Sequence, residues 1–85
     1  MNISKREQRV LHVLAQGGAI LPERDDRRRI VGVTCVTRDG LILADLTPDL
    51  FRRMRGRGLV ASHDGGPYRI SRLGRLAVRA QPDNR

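Results

Sequence analysis

Apolar positions first recur at helical spacing. Val10, Leu11, Leu14 and Ala15 form one stripe. Ser4 and Glu7 precede it with the spacing of a capping box, in which each side chain satisfies a free backbone N–H. Gly17-Gly18 ends it, because glycine takes the left-handed C-terminal conformation cheaply. The pattern predicts a helix over residues 4–16. From residue 19 the period changes. "AILPER" and "RIVGVTCVT" are rich in β-branched residues and flank the charged turn "DDRRR". Val31, Val33 and Cys35 alternate onto one face of a strand. Pro22 has no N–H for a ladder, which predicts an edge position for its strand. After the turn "RDG" at 38–40, "LILADL" predicts a third short strand, completing a small β-meander.

"TPDLFRRMRGRG" predicts a second helix over 48–56. Thr47 suits the N-cap, Pro48 the first helical position, and Asp49 the positive end of the helix dipole. "LVASHDGGPYRI" predicts a hairpin turning at 64–66. "SRLGRLAVRA" predicts a third helix capped by Ser71, with Leu73, Leu76, Ala77 and Ala80 on one face. Gly74 inside it costs about 1 kcal/mol relative to Ala unless another backbone approaches there. The expected fold is one α+β domain over residues 1–85 in the order α-β-β-β-α-β-β-α, with 81–85 a flexible tail.

Charge changes the picture most along "LFRRMRGRGLV". At about 100° per residue, Leu50, Phe51 and Met54 share one face, while Arg52, Arg53 and Arg55 lie away from it. Arg57 follows near the end. Two readings stand: an ordinary solvated face, or a contact surface for an acidic partner. Solvated helices usually mix signs, because Glu–Arg pairs three or four apart stabilise them. Here Asp49 is the only acid beside several arginines, which favours a contact surface. The whole chain agrees, with 17 basic and 9 acidic residues for a net charge of +8. Sixteen of the basic residues are arginine. GC-rich coding explains the choice of Arg over Lys, but not the excess of bases over acids. With Phe51 and Tyr68 the only aromatics, a single-strand binder built on stacking platforms is disfavoured.

The order of helix, "GLV", Gly-rich hairpin, "YRIS" and closing helix resembles the C-terminal half of a winged-helix domain. In such domains the helix before the hairpin enters a major groove and the hairpin is the wing. On that resemblance Arg52, Arg53, Arg55 and Arg57 are helix contacts, and His63 and Arg69 are wing contacts to duplex DNA. Guanidinium suits both tasks, through bidentate contact with guanine or phosphate oxygens. The departure is the meander at 19–46, which stands where a winged helix has its second helix. The expectation is therefore a small winged-helix-like domain with a β-meander inserted after the first helix.

Catalytic and metal chemistry are not legible. His12 lies opposite the first apolar stripe, and no Cys/His spacing fits zinc. Cys35, the one cysteine, sits in an apolar strand and reads as a buried structural thiol. Asp25-Asp26 precede three arginines, which points to local charge pairing. Gly65-Gly66 read as a hairpin tip and Tyr68 as packing at its base. The expectation is no enzyme, no cofactor and no metal. No apolar run is long enough to span a bilayer, and a lone cysteine without a signal-like N-terminus predicts a reduced, cytoplasmic protein.

With "EQRVLHVLAQGG", "TRDGLIL", "PYRIS" and "VRAQPDNR" in place, the whole chain resembles the YjhX family of short bacterial proteins. That resemblance implies the toxin half of a toxin–antitoxin pair, an acetyltransferase-like antitoxin as partner, and interference with a topoisomerase. It brings no catalytic motif. Three functions follow as expectations. One is a toxin that binds nucleic acid or a DNA-associated host protein. Another is a DNA-binding transcriptional regulator. The last is an assembly module that forms a homodimer through a sheet edge.

Overall fold

A computed structural model describes residues 2–79. Ala80 and the expected tail at 81–85 lie outside the described residues. Three helices and a five-stranded antiparallel sheet follow one another as α1 (Lys5–Ala15), β1 (Ala19–Arg24), β2 (Ile30–Val36), β3 (Ile42–Leu43), α2 (Pro48–Gly56), β4 (Val60–Ser62), β5 (Tyr68–Ile70) and α3 (Arg72–Arg79). The sheet order is β3-β2-β1-β5-β4, so the meander and the later hairpin form one surface.

Local chemistry sets the helix ends. The Glu7 N–H donates to Ser4 Oγ (3.1 Å) and the Ser4 N–H to Glu7 Oε1 (2.8 Å), so both halves of the capping box are present. Thr47 Oγ1 accepts from the Leu50 N–H at 3.1 Å, with Pro48 opening α2. Gly58 (φ +74) then lets the chain leave α2 in the left-handed region. Val10, Leu11 and Leu14 from α1, Ile20 from β1, Leu50, Phe51 and Met54 from α2, and Leu59 are the centre of the core. The Phe51 and Tyr68 rings meet edge to face, 4.9 Å between centroids.

Four expectations need correction. β1 is not an edge strand but lies between β2 and β5. Pro22 is tolerated because β1 meets β5 only at Ile20↔Tyr68, so Pro22 lies past that bridge. The sheet edges are β3 and β4. β3 itself is only two residues long, and its Ile42 and the preceding Leu41 are exposed. The alternation along β2 breaks at a bulge. Glu23 pairs with Gly32 but Arg24 with Ile30, leaving Val31 as the extra residue. Val31 is therefore 63% exposed, and Ile30 packs on the core in its place.

Helix α3 is rotated relative to its sequence pattern. It buries Gly74, Ala77 and Val78, while Leu73 and Leu76 are 40% and 52% exposed. Backbone packing decides this. The Ser71 N–H donates to the Leu59 carbonyl (3.0 Å), and Ser71 Oγ donates to the Gly58 carbonyl (2.5 Å) and accepts from the Gly74 N–H (3.0 Å). A Cβ on Gly74 would press on the Leu59 carbonyl oxygen and lie 2.8 Å from Ile70 Cγ1. Gly74→Ala is therefore expected to cost about 1–3 kcal/mol as overpacking. Gly56→Ala, where an added Cβ meets nothing within 4 Å, is expected to be neutral or to stabilise by under about 1 kcal/mol. Denaturant unfolding of the two variants beside the parent protein measures both.

Candidate functional site

The buried face of α2 is Leu50, Phe51 and Met54, and its outer face carries exposed Arg52, Arg53 and Arg55. Arg52 pairs with Asp49 one turn earlier. Arg55 lies over the Tyr68 ring, 5.8 Å from its centroid. The Arg53 side chain has no partner among the described residues.

The other residues expected in the site are placed differently. Arg57 turns inward, where its Nη1 donates to both oxygens of Glu7 (3.0 and 3.2 Å) and its Nη2 to the Asn2 carbonyl. Glu7 is almost fully buried, so this cation neutralises a carboxylate that has little water of its own. Arg69 Nη1 donates to the carbonyls of Gly17 and Gly18, both at 3.2 Å, at the end of α1. His63 is exposed at the β4–β5 turn. The structure thus groups Arg52, Arg53 and Arg55 and sets apart Arg57, a half-buried tie to Glu7, and Arg69, an exposed residue bonded to the end of α1.

It also brings up arginines that the sequence pattern assigns to local pairing. Asp25 organises the β1–β2 turn. Its Oδ1 accepts from the backbone N–H groups of Arg27 and Arg29 (both 2.9 Å), and its Oδ2 from Arg29 Nε (3.1 Å). Those donors, the Arg29 N–H foremost, hold the Asp25 carboxyl below its ordinary value. Arg24 Nη1 closes the turn on the Arg28 carbonyl (2.9 Å), with Arg28 left-handed at φ 65. The pairing expected of "DDRRR" thus holds for Arg29 alone. The side chains of Arg27 and Arg28 have no partner among the described residues.

Between this ribbon and α2 lies a cleft of about 320 Å³. Arg24, Arg28 and Arg29 border it from the ribbon, and Arg52 and Arg55 from α2. Ile30, Val33, Pro48 and Phe51 give it an apolar lining, and no lining residue carries a carboxylate. Such an arrangement concentrates positive potential over a partly apolar lining, which suits an anion attached to an apolar body. One signal for the ribbon was present in the sequence: three arginines follow two acids, one of which is needed to build the turn.

Cys35 is 1% exposed. Burial, then the Asp45 carboxylate, push its thiol from 9.0 up to about 11, so it is protonated and unreactive at neutral pH. No group of three His, Cys, Asp or Glu residues is placed to hold a metal ion among the described residues. No helix there is long and apolar enough to cross a membrane.

The family model described as "Putative toxin of bacterial toxin-antitoxin pair", YjhX toxin, matches residues 1–85. A UPF0386 protein of Cereibacter sphaeroides is 62% identical over 99% of this chain and 97% of its own length. One from Parvibaculum lavamentivorans is 62% identical over the whole of both chains. One from Caulobacter vibrioides is 58% identical over all of this chain and 93% of its own. No solved structure matches.

The two kinds of arginine should differ in what they contribute to stability. Arg57→Ala is expected to destabilise the fold by about 2 kcal/mol, below the range for fully buried pairs because Arg57 keeps a third of its surface in water. Arg53→Ala is expected to change stability by under about 0.5 kcal/mol. Thermal or denaturant unfolding separates them. For Cys35, the folded protein holds its proton to higher pH than the unfolded chain. The thiol leaves stability unchanged below 9.0, and stability is lost as pH rises from there through about 11. Unfolding across that window, beside Cys35→Ala, isolates this contribution.

Proposed function

The chain belongs to the YjhX family, described as "Putative toxin of bacterial toxin-antitoxin pair", and on that premise we propose that it acts without catalysis, by laying the arginine face of α2 on duplex DNA. A pair of this kind implies an antitoxin partner. One observation carries the reading. Every large apolar side chain of α2 is buried, while Arg52, Arg53 and Arg55 all face water with Asp49 as the helix's only acid. Those like charges repel one another in the free protein, and a row of phosphates relieves that repulsion.

Within the winged-helix-like reading, α2 is the groove-entering helix and the β4–β5 hairpin is the wing, with His63 beside the DNA backbone. Arg57 supports the end of α2 through Glu7, and Arg69, exposed on β5, ties the hairpin to the end of α1. The host target on this reading is DNA, or an enzyme met on DNA such as a topoisomerase. An acetyltransferase-like antitoxin would oppose it. A regulator of its own operon uses the same face, and is favoured by the helix-then-hairpin order that suits groove reading. The two readings differ in sequence selectivity.

The test is binding to duplex DNA across a salt series. Each phosphate-bound arginine contributes about 0.9 to the slope of log K against log salt. The triple variant Arg52→Ala/Arg53→Ala/Arg55→Ala should flatten the slope by about 0.9 for each arginine that had bound a phosphate, with its fold intact. An unchanged slope removes α2 from the interface. Selective binding to one sequence would favour the regulator.

A further inference from the structure

We propose that the cleft between α2 and the β1–β2 ribbon seats a backbone phosphate of the bound nucleic acid, which makes the ribbon turn a second gripping arm. This rests on the reading of α2 as a DNA-contacting helix, and extends it to residues on a separate element.

The ribbon has what a phosphate arm requires. Its turn is held by Asp25, which accepts two backbone N–H groups and the Arg29 side chain. One of the turn's two acids is therefore consumed in building it, and the other, exposed Asp26, does not line the cleft. Arg24 is tied by one nitrogen to the Arg28 carbonyl, which holds its guanidinium group at the rim with its other nitrogens, unpartnered among the described residues, free to donate. Arg28 is left-handed and exposed, and it borders two concave surfaces at once. One is the cleft with Arg52 and Arg55; the other is a shallower hollow with Gly65, Gly66 and Pro67 of the β4–β5 turn. Cations from two elements thus converge on one concave space without a carboxylate in its lining.

The lining favours a phosphodiester over a free inorganic anion. Ile30, Val31 and Val33 offer an apolar surface beside the arginines, and a sugar covers such a surface while its phosphate meets guanidinium groups bidentately. The bulge at Val31 contributes directly, because it puts the extra residue on the strand bordering the cleft and increases the local twist. The β4–β5 hairpin is the weaker arm. Arg69 is bonded to the Gly17 and Gly18 carbonyls, and His63 is its remaining candidate contact.

The experiment uses the full chain, a short random-sequence duplex and a salt series. The ribbon variant is Arg24→Gln/Arg28→Asn, asparagine being chosen because it accepts the left-handed conformation. A charge-matched control, Arg72→Gln/Arg75→Gln, changes exposed arginines of α3. Melting temperatures check that all variants fold. The expected result is a salt slope flatter by about 0.9 for each phosphate-binding arginine replaced in the ribbon variant, and an unchanged slope in the control. Equal flattening in both would show only a net-charge effect and overturn the second arm. So would an unchanged slope in the ribbon variant while the α2 variant loses binding; that result leaves the reading of α2 standing. Absence of duplex binding by the parent protein at low salt overturns both, and points to a protein partner instead.

Discussion

The carboxylate of Glu7 joins the parts on which the rest of the molecule depends. Its Oε1 accepts the Ser4 N–H and completes the N-terminal cap of α1. The same group receives Arg57, the C-cap residue of α2, fifty positions along the chain. One buried charge therefore fixes where α1 begins and where α2 ends. Removing either partner leaves the other short of bonds in a place water reaches poorly, which costs more than the pair contributes over an apolar replacement. Because α2 is held at its end and along Leu50, Phe51 and Met54, its remaining arginines have no direction but outward.

The same constraint explains why the arginines divide into two kinds. Arg57 and Arg69 satisfy oxygens of the fold, at Glu7 and at the end of α1. Arg52, Arg53 and Arg55 on α2, and Arg27 and Arg28 on the ribbon, stand exposed. Of these five, only Arg52 is paired with an acid among the described residues, Asp49, while Asp25 is taken by Arg29. For a chain of 85 residues at +8, self-repulsion of this order lowers the stability of the compact state. A polyanion that spanned both elements would remove it and would stabilise the folded state by that binding.

Much of the fold was legible because its determinants are local. Caps at Ser4 and Thr47, a proline at the start of α2 and helical spacing of its apolar residues place α1 and α2 to within a residue. What escaped the sequence depends on contacts far along the chain. The α3 face is set by Gly74 resting on the Leu59 carbonyl, so the exposed leucines misled the periodicity. Pro22 predicts an edge, but it needs only a missing neighbour at one position, not along the whole strand. In the candidate site, the outward arginines of α2 followed from 100° spacing. Arg57 could not be separated from them, because its partner is in another helix. Arg24 and Arg28 were hidden by the nearby aspartates, since sequence proximity does not say which of two acids is spent on the turn.

If α2 and the β1–β2 ribbon present one continuous nucleic-acid surface, both should respond to the same duplex at the same concentration. Titrating the labelled protein with a short duplex and following its amide chemical shifts reads this residue by residue. Perturbations are expected to concentrate at residues 24–30 and 49–56 and to saturate together with one apparent affinity. Perturbations centred on α3 or on the β3 edge, or two regions that saturate separately, would show that no such shared surface exists.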